Sequence, residues 1–125
     1  MSIFIDSNVI IKAFVDDKDT EKCRKILNQD FVTNTLCLVE AQHGISLISK
    51  DKVHAADCIK SLFKHNSNIC QLDKNLLFQS LRRIEKYDLK ISDLINYTTA
   101  LLKNCTEFIS YDKDFDDLEI KRIEP

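Results

Sequence analysis

The chain has very little of the residues that build tight turns. Among its 125 residues there is one glycine, Gly44, one proline, Pro125, and no tryptophan. Sandwiches and barrels need many turn residues with special backbone dihedrals, so this scarcity argues against a turn-rich all-β fold. A glycine-rich phosphate-binding loop is excluded as well, because such a loop needs several glycines close together.

Long apolar runs and a dominant charge of one sign are also missing. No apolar stretch approaches the ~18 residues that a membrane helix needs, and the opening MSIFIDSNVIIKAF has no basic residue before its apolar run, unlike a secretory signal. Eighteen basic and twenty acidic residues give a net charge of −2, which neither indicates nor excludes nucleic-acid binding, because a local basic patch is enough. We expect a cytoplasmic protein without a membrane segment.

The cysteines and histidines do not predict a zinc site. The five cysteines are widely spaced and form no CxxC pair, which a structural zinc ribbon would require. We expect reduced thiols that act as small core residues in a cytosolic protein. The cysteines are Cys23, Cys37, Cys58, Cys70 and Cys105.

Short apolar runs alternate with amphipathic helical patterns along the whole chain. Strands are predicted at 2–5, 31–33, 69–72 and 107–110, with a fifth at the sheet edge within 118–123. Helices are predicted from Ser7 onward and at 16–28, 33–49, 53–65, 76–87 and 92–103. This alternation predicts one α/β domain over residues 1–125, with a mostly parallel sheet of four to five short strands and helices on both faces.

Several carboxylates fall where such a sheet places its functional site, at the carboxyl ends of the strands. Asp6 closes the first strand and Asp112 follows the fourth, so both should lie at the same edge. Asp93 is predicted to open a helix that Ser92 caps. Glu40 lies within a helix and is flanked by apolar residues, which places it at the margin of the buried face.

Taken singly, each carboxylate has a structural explanation. Asp6 and Asp93 are both suited to interact favourably with a helix N-terminus, and Asp112 belongs to an acidic run that is typical of a solvated turn. A carboxylate against an apolar face, such as Glu40, is costly without a partner. Carboxylates that converge repel one another, and a hard divalent cation relieves that repulsion.

Three segments, in order and covering nearly the whole chain, resemble the PIN-domain ribonucleases, especially the small VapC-like toxins of toxin–antitoxin systems. IFIDSNVI resembles the first strand of that family with its acid, hydroxyl and Asn. VTNTLCLVEAQHGI resembles the helix that bears its Glu. LKISDLINYTTALLKNCTEFISYDKDF resembles the Asp-started helix and the acidic turn after the last strand.

The resemblance implies a Mg²⁺- or Mn²⁺-dependent endoribonuclease that cleaves RNA phosphodiester bonds. It further implies that the protein is the toxin of a toxin–antitoxin pair, with a cognate antitoxin and a homodimeric state. The catalytic and metal-binding quartet would be Asp6, Glu40, Asp93 and Asp112. Ser110, Asn8 and Asp114 match supporting positions, and Asp114 is ranked below the quartet.

The surroundings of this site leave several alternatives open. Phosphate-binding candidates are Arg82, Arg83, Lys86, Lys90 and Lys113. Tyr97 either packs in the core or contacts the substrate, and the apolar residues of helices 9–27 either receive an antitoxin or form ordinary core. Two other functions are considered: a catalytically inactive PIN-fold RNA- or protein-binding module, and a receiver-like signalling domain in which Asp73 would be the phosphoacceptor.

Overall fold

Five three-residue strands form one parallel sheet in the order β3-β2-β1-β4-β5. The computed structural model describes residues 2–64 and 68–125. The strands are β1 (Ile3–Ile5), β2 (Val32–Asn34), β3 (Asn68–Cys70), β4 (Glu107–Ile109) and β5 (Lys121–Ile123). The predicted α/β class is confirmed, and the sheet is parallel throughout.

Helices connect the strands and cover both faces of the sheet. The described residues contain α1 (Ser7–Phe14), α2 (Thr20–Leu27), α3 (Thr35–Ser49), α4 (Lys52–Leu62), α5 (Lys74–Leu81), α6 (Ile91–Leu102) and a 3-10 turn at Lys113–Phe115. The predicted end of the fourth long helix, His65, lies outside the described residues. None of the helices in 2–64 and 68–125 has the length and apolarity needed to cross a membrane.

Several predicted helix boundaries were wrong. The helix predicted for 16–28 begins at Thr20, and the one predicted for 33–49 begins at Thr35, because Thr33 belongs to β2. The last long helix begins at Ile91, and Lys90 is its N-cap, because the Lys90 carbonyl accepts the first helical bond from Leu94 N at 2.9 Å. Ser92 is therefore inside the helix and caps nothing. The helix predicted for 76–87 ends at Leu81, and successive turns then bring Tyr87 into the core against Tyr97, with ring centroids 5.2 Å apart.

The core is divided between the two faces of the sheet. Ile3 and Ile5 of β1 point to one face, where they pack with α1 to α4. Phe4 points to the other face, as period-2 alternation requires, and its ring stacks on Phe108 at 4.8 Å between centroids. Every residue of β1 is buried, so the polar residues that follow it lie at the edge of a tightly packed layer.

The single glycine leaves room for a side chain of α1 against α3. A Cβ on Gly44 would collide with Cδ1 of Ile11, so the Ile11 side chain would have to shift to admit it. Gly44 lies one helical turn beyond Glu40 on α3.

Candidate active site

Asp6 is the first residue after β1 and the N-cap of α1. It is 5% exposed, and its Oδ1 accepts a hydrogen bond from Ser7 N at 2.8 Å. Its Oδ2 accepts a hydrogen bond from the Ser110 hydroxyl at 2.7 Å. The helix-start role expected of Asp6 is therefore real, but it occupies only one of the two carboxylate oxygens.

Ser110 connects the two loops at the carboxyl ends of β1 and β4. Its Oγ donates to Asp6 and accepts from Asn8 Nδ2 at 3.1 Å and from Asp112 N at 3.0 Å. Asn8 Oδ1 accepts in turn from Tyr111 N at 3.2 Å. These bonds satisfy a hydroxyl that is fully buried, and they hold the first and last predicted acids at one edge of the sheet.

Asp112 and Asp114 lie on the loop after β4. Asp112 caps the 3-10 turn, because its Oδ1 accepts from Asp114 N at 2.9 Å. Phe115 is fully buried and anchors the end of this turn in the core. One carboxylate oxygen from each of Asp93, Asp112 and Asp114 lies within 4.8 Å of the others. Asp114, ranked below the quartet on sequence, thus lies directly in the acidic cluster.

Asp93 is the third residue of α6 and the centre of this cluster. It is 8% exposed, and its Oδ2 is buried without a hydrogen-bond partner. Burial raises the pKa of Asp93 to about 6; the Lys90 ammonium opposes the increase, and the charges of Asp112, Asp6 and Asp114 add to it. A buried carboxylate oxygen that lacks a donor is a position where a cation would be bound favourably.

Glu40 and Asp6 belong to the same electrostatic group. Burial raises the pKa of Glu40, and the negative charge of Asp93 raises it further. Burial is also the main cause of the raised pKa of Asp6, where bonds from Ser110 and Ser7 oppose it and the charges of Glu40 and Asp112 add to it. These charge interactions link all four acids of the predicted quartet, although they span most of the chain. Of the four, Asp93 and Asp112 lie in the close cluster with Asp114, and Asp6 and Glu40 lie outside it.

A layer of buried amides beneath the acids was missed from the sequence. Asn34 is fully buried and donates to Asn96 Oδ1 at 3.0 Å and to Thr99 Oγ1 at 2.9 Å, while its own Oδ1 caps α3. Asn96 Nδ2 lies 3.5 Å from Asp6 Oδ1. The available signal was the position of Asn96, one turn after Asp93 and between the apolar residues Ile95 and Tyr97.

The donor set fits a hard divalent cation. The converging ligand atoms are all carboxylate oxygens, which Mg²⁺, Mn²⁺ and Ca²⁺ prefer. A thiol also lies close to one of the acids, since Cys37 Sγ is 3.9 Å from Asp6 Oδ1. Burial and the charge of Asp6 raise the pKa of Cys37 well above its usual value, which keeps this thiol protonated and unsuited to metal binding.

Of the five predicted phosphate-binding residues, Lys90 is the one whose charge acts on the site. It is exposed at the start of α6, and it lowers the pKa values of both Asp93 and Glu40. Lys113 is exposed beside Asp112 on the 3-10 turn. These two cations lie at the rim of an otherwise acidic group.

The other three basic residues interact elsewhere. Arg82 and Arg83 both donate to the side chain of Gln79, and Arg83 also donates to its carbonyl. Lys86 forms an ion pair with Glu119 at 3.3 Å. A continuous basic patch formed by these side chains and Lys90 is therefore not supported.

Tyr97 is a packing residue. It is fully buried, and its hydroxyl accepts a hydrogen bond from Ile120 N at 2.9 Å. Asp73 likewise has a local role, because its Oδ1 accepts from Leu76 N at 2.9 Å as the N-cap of α5. Asp73 follows β3, which is an edge strand, so it is two strands away from Asp6.

The apolar residues of α1 and α2 are mainly core. Val9, Ile10, Ala13, Cys23 and Leu27 are all buried. The large exposed apolar side chains of the described residues lie elsewhere, chiefly on α3 and α4 and around α5: Val39, Leu47, Ile48, Val53, Phe63, Leu72, Leu77, Phe78, Leu81, Ile84, Ile91 and Leu102.

A cleft of about 550 Å³ lies away from the acids, between β3, α5 and α6. Its lining includes Asn68, Cys70, Thr99 and Lys103. The acidic cluster lies instead beside the loop after β4, where Asp114 is exposed and Asp112 is half-buried. None of its acids lines the cleft, so the cleft does not bear on the chemistry of the acids.

The chain belongs to the PIN-domain family. The family model described as PIN domain matches residues 3–121, which confirms the resemblance of the three motif segments and excludes the receiver-like alternative. No curated protein sequence gave a significant match.

Solved structures with the same fold include one toxin and two toxin–antitoxin assemblies. VapC20 of Mycobacterium tuberculosis, described as a Sarcin-Ricin loop cleaving toxin, has a TM-score of 0.80 at 14% identity, over 98% of this chain and 99% of its own. A toxin–antitoxin complex from Klebsiella pneumoniae has a TM-score of 0.76 at 18% identity, over 98% of this chain and 96% of its own. VapBC2 from Rickettsia felis, bound to a DNA fragment from its promoter, has a TM-score of 0.68 at 16% identity, over 99% of this chain and 98% of its own.

Proposed function

We propose that this protein is a Mg²⁺- or Mn²⁺-dependent endoribonuclease and the toxin of a toxin–antitoxin pair, acting in the cytoplasm as one nuclease domain over residues 1–125. The observation that carries the proposal is the convergence of Asp112 and Asp114 on Asp93, whose buried Oδ2 has no hydrogen-bond partner. Membership of the PIN-domain family supports the reaction class.

Asp93, Asp112 and Asp114 are the proposed nearest ligands of the cation, and Asp6 and Glu40 bind it directly or through water. Both oxygens of Asp6 already accept hydrogen bonds, so it supplies charge and fixes the geometry of its neighbours. When bound, the cation stabilises negative charge on the phosphoryl group and lowers the pKa of an attacking water.

The other side chains bind and orient the reactants. Glu40 is half-buried with a raised pKa, so its carboxylate is suited to accept a proton from the attacking water. Ser110 and Asn8 keep Asp6 and Asp112 in register through the bonds described above. Lys90 and Lys113 bind substrate phosphates at the rim, since an acidic centre alone would repel a polyanion.

RNA is the proposed substrate class. The description of VapC20 as a toxin that cleaves the Sarcin-Ricin loop supports it, because that protein has the same fold. A single-stranded or looped RNA is favoured, since unpaired nucleotides expose their backbone and bases to a protein surface.

A cognate antitoxin and a homodimer complete the proposal. Two of the similar structures are described as toxin–antitoxin assemblies. The exposed apolar side chains on α3 and α5, such as Val39, Leu47 and Phe78, supply surface that association would bury. Light scattering of the purified chain, alone and with the product of an adjacent small reading frame, tests both associations.

The nuclease proposal is tested by Asp93→Asn, with Asp57→Asn as the matched control. Asp57 is exposed on α4 and forms only a helix-surface ion pair with Lys60. We expect wild type and the control to cleave RNA in Mn²⁺ and not in EDTA, and Asp93→Asn to lose at least a hundredfold in rate. The inactive binding module would be favoured if wild-type protein binds RNA, does not bind Mn²⁺ and yields no cleavage products.

A further inference from the structure

We propose that Arg122 is a positioning residue that holds the acidic loop 110–116 against Asp93. The inference deepens the proposed function and rests on it, because the loop carries Asp112 and Asp114. Arg122 is on β5, outside the three motif segments that indicated the site.

Arg122 contacts both ends of this loop. Its Nη1 donates to the carbonyl oxygen of Ser110 at 2.9 Å, and its Nε donates to Asp116 Oδ1. The side chain is only 13% exposed. A third acceptor, Glu124 Oε2 at 2.7 Å, lies outside the loop, on the residue after β5. One guanidinium therefore connects the first and last residues of the loop.

The planar guanidinium is suited to this bridge. Arginine presents its N–H donors in a rigid fork, so one group can bind two acceptors at a fixed separation, which a lysine ammonium on a flexible stem does less well. The backbone of the same segment is also held, since Ser110 N donates to Ile123 O at 3.0 Å. The start of the loop is thus held by β5 through Ser110, and its end is held by the same Arg122 side chain through Asp116.

The loop needs such an anchor because its acids repel the rest of the site. The charges of Asp112 and Asp114 raise the pKa of Asp93, and Asp112 also raises that of Asp6. Without a cation, this repulsion favours movement of the loop away from α6. Arg122 binds the two ends of the loop, at Ser110 O and Asp116 Oδ1, and forms no bond with the carboxylates of Asp112 and Asp114, so it opposes that movement from the ends.

The test compares Arg122→Met with Arg24→Met. Arg24 is a matched control, because its Nε also donates to a backbone carbonyl, that of Ala13, and its Nη1 binds a carboxylate, Glu21, but on α1 and α2. We expect Arg122→Met to weaken Mn²⁺ binding by about 10–100-fold, the usual effect of removing a group that orients metal ligands. Amide hydrogen exchange at Asp112 and Asp114 should accelerate in the same variant.

Arg24→Met should lower the melting temperature without changing Mn²⁺ affinity or exchange in the loop. Arg122→Lys should restore only part of the affinity, and Glu124→Gln should leave it unchanged. If Arg122→Met does not fold, Asp116→Asn removes one end of the bridge and should weaken Mn²⁺ binding to a smaller degree.

Two failures are distinguishable. A wild-type protein that binds no Mn²⁺ refutes the proposed function, and loop exchange in Arg122→Met then decides whether Arg122 holds the loop. Wild-type binding together with unchanged affinity and exchange in Arg122→Met, or in Asp116→Asn where the first variant does not fold, overturns the role of Arg122.

Discussion

Replacing Asp93 by Asn should change stability in opposite directions with and without metal. The folded state raises the pKa of Asp93 to about 6 from an ordinary value of 3.8. At 1.36 kcal/mol per pKa unit, the ionised carboxylate of the apo protein costs about 3 kcal/mol of stability at neutral pH. Substitution by Asn removes this cost, but its buried amide without a partner costs about 1 kcal/mol. We therefore expect Asp93→Asn to gain about 2 kcal/mol in EDTA at pH 7.5.

The pH dependence gives the sign of this effect. Between pH of about 4 and 6 the folded state holds the Asp93 proton while the unfolded chain has lost it, so wild-type stability falls as pH rises through this range. Below about pH 4 both states are protonated and this cost is absent. The advantage of Asp93→Asn should therefore shrink as the pH is lowered from 7.5 to 4.

Urea unfolding in EDTA across this pH range measures the effect, and a repeat in Mn²⁺ reverses it. A cation at one hundred times its dissociation constant stabilises wild type by about 2.7 kcal/mol, and the variant should lose most of this gain. Asp57→Asn should behave like wild type in every condition. The reasoning is refuted if Asp93→Asn is less stable than wild type in EDTA at pH 7.5, as expected of a carboxylate that only stabilises a helix start.

Three further variants test other parts of the site. Asn34→Ala should lower the free energy of unfolding by about 2–4 kcal/mol in urea titrations, because it leaves buried partners unsatisfied and removes a helix cap. Tyr97→Phe should cost about 1 kcal/mol, for the bond to Ile120 N, and leave cleavage intact. Lys90→Gln should raise the pKa of Asp93 further above its ordinary value in apo protein, as measured by carboxyl NMR titration, and weaken RNA binding in a salt-dependent manner.

Each of these variants has an outcome that would contradict the structure. An Asn34→Ala protein as stable as wild type would mean that the buried amide layer contributes nothing. Loss of cleavage by a folded Tyr97→Phe would give Tyr97 a role in the reaction. An unchanged pKa of Asp93 in Lys90→Gln would separate Lys90 from the site.

Local patterns in the sequence were sufficient for the fold class and for the principal acids. Apolar runs bounded by polar residues predict strands and helices because each element must bury one face, and this gave the alternating α/β order. Asp6 and Asp112 could be assigned to one edge because both follow strands, and parallel strands end on the same side. Glu40 and Asp93 could be singled out as a carboxylate at the margin of an apolar face and a carboxylate at a helix start, and the motif segments then joined them to Asp6 and Asp112 in one predicted site.

The tertiary structure alone decided which polar groups meet. Asn34 and Asn96 are 62 residues apart and Ser110 and Asp6 are 104 apart, and their bonds exist because β1 lies between β2 and β4. The same strand order places Arg122 of β5 next to Ser110. The buried state of α1 and α2, the proximity of Asp114 to Asp93 and the unpartnered oxygen of Asp93 depend likewise on packing between distant segments. Hydrophobic periodicity specifies which face of an element is buried but not the element it packs against, so these contacts required the folded chain.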